Sequence, residues 1–284
     1  MRISLFAVTL LPLLTAAGTL RAACASERSL DRGAPLRTAP GPAGFAGAPE
    51  ACAATEIALQ GDAAALIAVE DFFGTLEASA ALRARHALSP GLWLSLWVPG
   101  LSYRFAANAT VEAESVDLGA GALGLHFGLP LASRTQLSPF ARVLLPTESV
   151  FVHATRYGFE HGISLVHEPS RRLELLGGAS FPLLVTDGFG SLHSAFLPTL
   201  TAQAGFTAFS WLELLGGASL RTRSGDEGGF DAFEPAAGVR VFPWRRLRVE
   251  LAARAPLWGE DRTDLGLALN VGYILPSASE QSRR

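Results

Sequence analysis

From about residue 58 onward, apolar and polar side chains alternate one for one, over and over, in segments of about ten residues. Residues 199–209 set Thr199, Thr201, Gln203, Gly205 and Thr207 on one face and Leu200, Ala202, Ala204, Phe206 and Ala208 on the other. Residues 246–257 put Arg246, Arg248, Glu250 and Arg254 opposite Leu247, Val249, Leu251, Ala253, Ala255 and Leu257. Residues 75–87 and 265–275 follow the same rule. Successive side chains of a strand point to opposite faces, so a period of two is the strand signal. No segment after residue 25 holds 18 consecutive apolar residues, so no helical membrane span is expected there.

Turn residues divide the alternating stretch into twelve expected strands, near 62–72, 75–87, 91–104, 117–131, 138–147, 154–167, 172–184, 198–209, 211–223, 232–242, 246–257 and 264–275. The segment 91–104 alternates poorly. Short connections at Ser89-Pro90, 168–171, 209–211 and 243–245 take turns with longer ones around 105–116, 148–153, 185–197, 224–231 and 258–263. The octapeptide LELLGGAS occurs at 173–180 and again at 212–219. That spacing fits two strands with one short and one long connection, so the copies are expected to run in the same direction, one hairpin apart.

The N-terminus carries a different pattern. Met1-Arg2 supplies positive charge, ISLFAVTLLPLLTAAGTL follows over 3–20, and Ala23-Cys24-Ala25 offers small residues for cleavage. These are the three parts of a secretory signal peptide, expected over 1–25. Arg21 stands where a lipoprotein signal wants a Leu-like residue, which speaks against lipidation of Cys24. Residues 26–57, rich in Ala, Pro and Gly, are expected to form a flexible periplasmic linker. The alternating region 58–275 is the expected folded domain, and PSASEQSRR over 276–284 a polar tail.

Alternation also suits a soluble sandwich or lipocalin-like barrel. Three features favour a membrane: the export signal, the continuous apolar faces, and aromatic residues near strand ends. Phe209, Trp211, Phe242, Trp244 and Tyr273 fall at one inferred rim, the periplasmic one, and Phe189, Phe196, Phe233 and Trp258 near the other. Aromatic belts mark both interfaces of a membrane span. In lipid every backbone polar group must be paired, and a closed cylinder of strands does this without an edge. The expected fold is all-β, a transmembrane antiparallel up-and-down β-barrel of about twelve strands in the cell outer membrane.

The stretch GTLEASAALRARHALSPGLWLSLWVP as an opening hairpin, LGAGALGLHFGLPL, and a strand ending in LLPTES together resemble bacterial outer-membrane β-barrels. In particular they are similar to the small transporter barrels associated with the meta-pathway of phenol degradation, over roughly residues 74–275. That resemblance implies a barrel ending in an insertion signal, partly matched by Asn270-x-Gly272-x-x-Leu275. The chain departs from it by closing on Leu275 and a polar tail rather than on an aromatic residue.

In such a barrel the alternation would line the lumen with Glu77, Arg83, Arg85, His126, Arg142, Arg156, Glu160, Glu174, Glu213, Arg221, Arg223, Glu234, Arg240, Arg248, Glu250 and Arg254. Nine Arg against six Glu lean positive, which suits a pore or transporter for small solutes that favours anions. Ion-pair ladders filling a non-conducting structural or binding barrel are the alternative. A lipid-acting hydrolase is a third reading, resting on His161 near Ser164 and on His193-Ser194. In a strand His161 and Ser164 have opposite parity, whereas His193-Ser194 is expected in a loop. The acidic run 226–231 is expected to be a solvated loop tip. Net charge is -3, with no basic field for nucleic acid. No enzyme activity, cofactor or metal is called for; outer-membrane lipid and small solutes are the expected partners, with protein partners open.

Overall fold

In the computed structural model the described residues are 56–274, less 69–72, 90, 99–100, 108–111, 119–120, 133, 150–153, 171, 189–190, 226–229, 245–246, 256 and 260–264. The expected leader, Cys24, Cys52, the linker up to residue 55 and the tail lie outside them. Among the described residues seventeen strand segments form one antiparallel sheet. Five breaks of one to three residues leave the ladder unbroken: Trp97↔Ala122 and Leu101↔Leu118 share one register, as do Leu183↔Phe196 and Ser180↔Thr199. The segments therefore resolve into twelve staves: β1 (Glu56–Ala68), β2 (Phe73–Ser89), β3 (92–107), β4 (112–132), β5 (Thr135–Ser149), β6 (Ala154–His167), β7 (Leu173–Gly188), β8 (191–209), β9 (Leu212–Gly225), β10 (Phe230–Trp244), β11 (247–259) and β12 (Leu265–Ile274). Each pairs with its sequence neighbours, and β1 also pairs with β12 from Glu56↔Ile274 to Ala65↔Leu265. That last ladder closes the sheet into a barrel. Among the described residues no helix is long and apolar enough to cross a membrane.

Burial is inverted relative to a soluble protein. Among the described residues twenty-one buried ones are polar or charged and twelve are apolar, while Leu76, Leu82, Leu123, Leu200, Leu251 and Leu267 are among the thirty-three large apolar side chains left exposed. A water-soluble sandwich would bury the second set. The outward apolar row belongs in lipid and the inward polar row in the lumen, so the barrel is a transmembrane one. Phe209, Trp211, Trp244 and Tyr273 are exposed at the turn end, and Phe196 at the other. Phe233 and Phe242 are half-buried, Phe189 lies outside the described residues, and so does the side chain of Trp258.

Two expectations need correcting. The first strand is 56–68, not 62–72; Glu56, Gln60 and Asp62 alternate with Ile57, Leu59 and Gly61, but 63–68 is apolar on both rows, so the contrast ends inside the strand. The long connections are also shorter than expected. Two residues separate strands at four of the five turns, and two to five do so at the opposite end. Strands there run past the apolar band, where outward residues such as Asp187, Ser194 and Ser224 turn polar. Ladder hydrogen bonds continue while the apolar–polar contrast ends. The run 226–231 is accordingly split: Phe230 and Asp231 open β10, and 226–229 lie outside the described residues.

Glycines report which way the wall faces. A Cβ at outward Gly216 would meet nothing within 4 Å, and one at outward Gly61 only Ser79 O at 3.8 Å. A Cβ at inward Gly217 would fall 2.6 Å from Ala202 O and 2.7 Å from Gln203 Cγ. Gly217→Ala is therefore expected to cost about 1–3 kcal/mol by overpacking. Gly216→Ala, one residue away, should be neutral within about 0.5 kcal/mol. Urea titrations of the two detergent-folded variants, followed by gel mobility, check this. Equal effects would contradict the facing assigned to β9.

Candidate functional site

The inward row is built from cross-strand neighbours. Arg142 lies opposite Glu160, Glu213 opposite Arg240, and Arg240 opposite Glu250. Partners facing each other across a ladder have Cβ atoms about 5 Å apart, within reach of side-chain pairing. Arg240 is the hub of the β9–β11 wall. Its Nη1 donates to Glu213 Oε2 and its Nε to Glu250 Oε1, each at 2.7 Å. Glu174 on β7 adds a third carboxylate whose charge acts on the same guanidinium. Farther along that wall Glu234 takes Arg221 through one oxygen and approaches Arg254 at 3.8 Å through the other. On the β5–β6 side Arg142 and Glu160 stand 3.4 Å apart.

The β2–β5 wall carries an aromatic stack. Trp93 and His126 are register partners, as are His126 and Phe140. Their ring centroids are 5.4 and 5.5 Å apart, nearly parallel. Ser95 Oγ hydrogen-bonds His126 Nε2 at 2.8 Å. Arg142 lies over Phe140 at 5.0 Å and Arg83 over Trp97 at 5.8 Å, within the range of a cation–π contact.

Inward glycines let these long side chains lie along the wall. A Cβ at Gly124 would strike Ser95 Oγ and Arg142 Cγ, at Gly128 Gln136 and Trp93, at Gly162 the ring of Phe140, and at Gly266 the stem of Arg254. Each large side chain thus folds over a glycine of a neighbouring strand.

Of the sixteen residues expected in the lumen, Arg83, Arg85, His126, Arg142, Glu160, Glu213, Glu234, Arg240, Glu250 and Arg254 are buried on the inward row. Glu174 and Arg221 are half-buried on the same row. Glu77, Arg156, Arg223 and Arg248 sit in strands, but their side chains lie outside the described set. Trp93, Trp97, Ser95, Gln136, Gln203 and Asn270 also face inward and were missed as lumen candidates. Gln203 and Asn270 stood on the polar parity of their strands; the tryptophans did not, being apolar residues on the inner face.

The hydrolase pairs come apart. His161 is exposed on the outer face and Ser164 buried on the inner one. His193 and Ser194 are not in a loop but in β8, where His193 is half-buried and Ser194 exposed, on opposite faces. A base and a nucleophile need hydrogen-bond reach, which neighbouring residues of a strand do not have. Among the described residues no group of three His, Cys, Asp or Glu could hold a metal ion.

A closed barrel with a lipid-facing exterior and a charged inner wall has the fold of the outer-membrane β-barrels. The chain is similar to the outer membrane channel of Pseudomonas putida F1, with 12% identity over 78% of this chain and 96% of that one, at a TM-score of 0.61. It is similar also to the beta domain of the Bordetella autotransporter Brka, with 12% identity over 78% and 100% of the two chains, at a TM-score of 0.55. At these identities the likeness is one of fold. No protein-family model matches the chain, and no curated protein matches it either.

Proposed function

We propose that this barrel is a narrow outer-membrane channel for small solutes that favours anions. The observation that carries the reading is the inner wall itself: charged, and arranged so that Trp93, Phe140, Arg142 and Arg254 lie over glycines of adjacent strands. An open path requires long side chains to lie along the wall rather than across it. The channel named in the similar Pseudomonas putida F1 structure supports the reading, and so does the resemblance to phenol meta-pathway transporter barrels read from the sequence. The anion preference rests on the nine Arg against six Glu that the alternation assigns to the inner row. Outer-membrane lipid is the partner of the exterior.

Purified barrel added to a planar bilayer should give discrete conductance steps, and a salt gradient should give a reversal potential of anion-selective sign. One unit charge about 6 Å from a permeating ion in water is worth about 0.7 kcal/mol. The charge acts on an anion and a cation with opposite sign, so Arg83→Gln and Arg85→Gln should each lower the anion-to-cation permeability ratio by up to about tenfold. A membrane that stays sealed would favour the non-conducting barrel, toward which the paired charges of β9–β11 point.

A further inference from the structure

The outward row of β6 runs Tyr157, Phe159, His161, Ile163, Leu165, all exposed. His161 stands near the middle of the strand Ala154–His167, so it lies at mid-height of the lipid-facing wall. Its register partners are Ala141 on β5 and Phe181 on β7. The imidazole stacks against Phe159 and Phe181, with centroids 5.8 and 5.5 Å away, and Phe181 stacks on Phe196 of β8 at 6.4 Å. The result is an aromatic ridge across three strands with a polar ring at its centre. Ring stacking accounts for the contacts of His161; among the described residues its nitrogens make no hydrogen bond.

Hydrocarbon offers nothing to those nitrogens, and an unsatisfied polar group there costs several kcal/mol. An ionisable side chain inside a membrane marks a contact with a partner. A neutral imidazole carries one donor and one acceptor, so a second imidazole of the same kind can share one N–H···N bond with it, one ring donating and the other accepting. We infer that two copies of this chain associate side by side in the membrane through the ridge, with the two His161 rings meeting at the twofold axis, N–H of one to the bare nitrogen of the other. A twofold contact joins one patch to itself, which a self-complementary group at its centre allows.

The area suffices. With Val143 on β5, the ridge spans four strands, about 4.8 Å apart. An apolar band about 25 Å tall crosses them. Each copy then offers roughly 500 Å², and the pair reaches the roughly 1,000 Å² at which specific interfaces begin.

The test counts barrels per particle by native mass spectrometry, after mild detergent extraction of the full chain. The expected result is two for the unaltered protein, and at least tenfold weaker association for His161→Phe, which keeps a ring and the apolar surface but removes both nitrogens. His161→Cys, in a chain whose Cys24 and Cys52 are replaced by Ser, should give a disulfide-linked pair of this chain when outer-membrane fractions are oxidised. Heat-modifiable gel mobility verifies that both variants are folded, and unchanged conductance separates this result from the channel reading. Single barrels in the unaltered protein, absence of the oxidised pair, or a crosslink to a different protein overturns the proposal. So does a His161→Phe chain that gains heat resistance with its particle mass unchanged, which assigns the ridge to lipid.

Discussion

Arg240→Met is expected to destabilise the barrel by about 3–5 kcal/mol, the cost of removing one partner from a buried ion pair. Arg240 is 1% exposed and holds Glu213 and Glu250, with Glu174 nearby. One positive and three negative charges give the cluster -2; without the guanidinium it holds -3. Repulsion among carboxylates that cannot all reach water then opposes closure of the β9–β10 and β10–β11 ladders. Guanidinium titrations of the detergent-folded protein should show the loss as a lower midpoint. The same substitution should move the reversal potential toward cations. Adding Glu213→Gln and Glu250→Gln should restore most of the stability, because the like charges leave with the Arg. A single variant as stable as the parent would mean that lumen water screens the cluster, and the hub would then have no structural role.

Trp93→Ala should cost about 3–5 kcal/mol as well, by another route. Its side chain is 0% exposed, stacks on His126, and covers Gly128. Truncating a buried aromatic loses its transfer free energy and leaves a cavity. On this inner wall the cavity adjoins the lumen, so the variant should also raise single-channel conductance above that of the parent. Loss of stability without a change in conductance would place Trp93 away from the ion path. Gain of conductance without loss of stability would mean that the stack contributes no packing energy.

The alternation that predicted the barrel is a local property. Each of Leu200, Ala202 and Phe206 takes its facing from its own parity, and the same rule puts Arg83, Glu160 and Glu250 inside. It falters where the two faces match in polarity: in the second half of β1, which is apolar on both rows, in the strand extensions near Asp187 and Ser224, and in β3. There the inward Trp93 and Trp97 are as apolar as the outward Leu94 and Leu96. Parity also separates His161 from Ser164 and, once β8 is known to begin at Ser191, His193 from Ser194.

What the chain determined by itself is therefore the facing of its clearly alternating strands, the strand number and the direction, including the parallel course of the two LELLGGAS copies on β7 and β9. These follow from side-chain period and connection length, and need no knowledge of which strands touch. Partnership and closure were decided only in three dimensions. Glu213 meets Arg240 across 27 positions and Ser95 meets His126 across 31. A slip of one residue in any ladder would break such pairs and turn a whole row to the wrong face. Register is set by the fit of neighbouring strands, by glycines such as Gly124 and Gly162 that admit the side chain beside them, and by the β1–β12 ladder that leaves no edge. None of these terms is carried by a single segment, because each is an energy between residues distant in the chain.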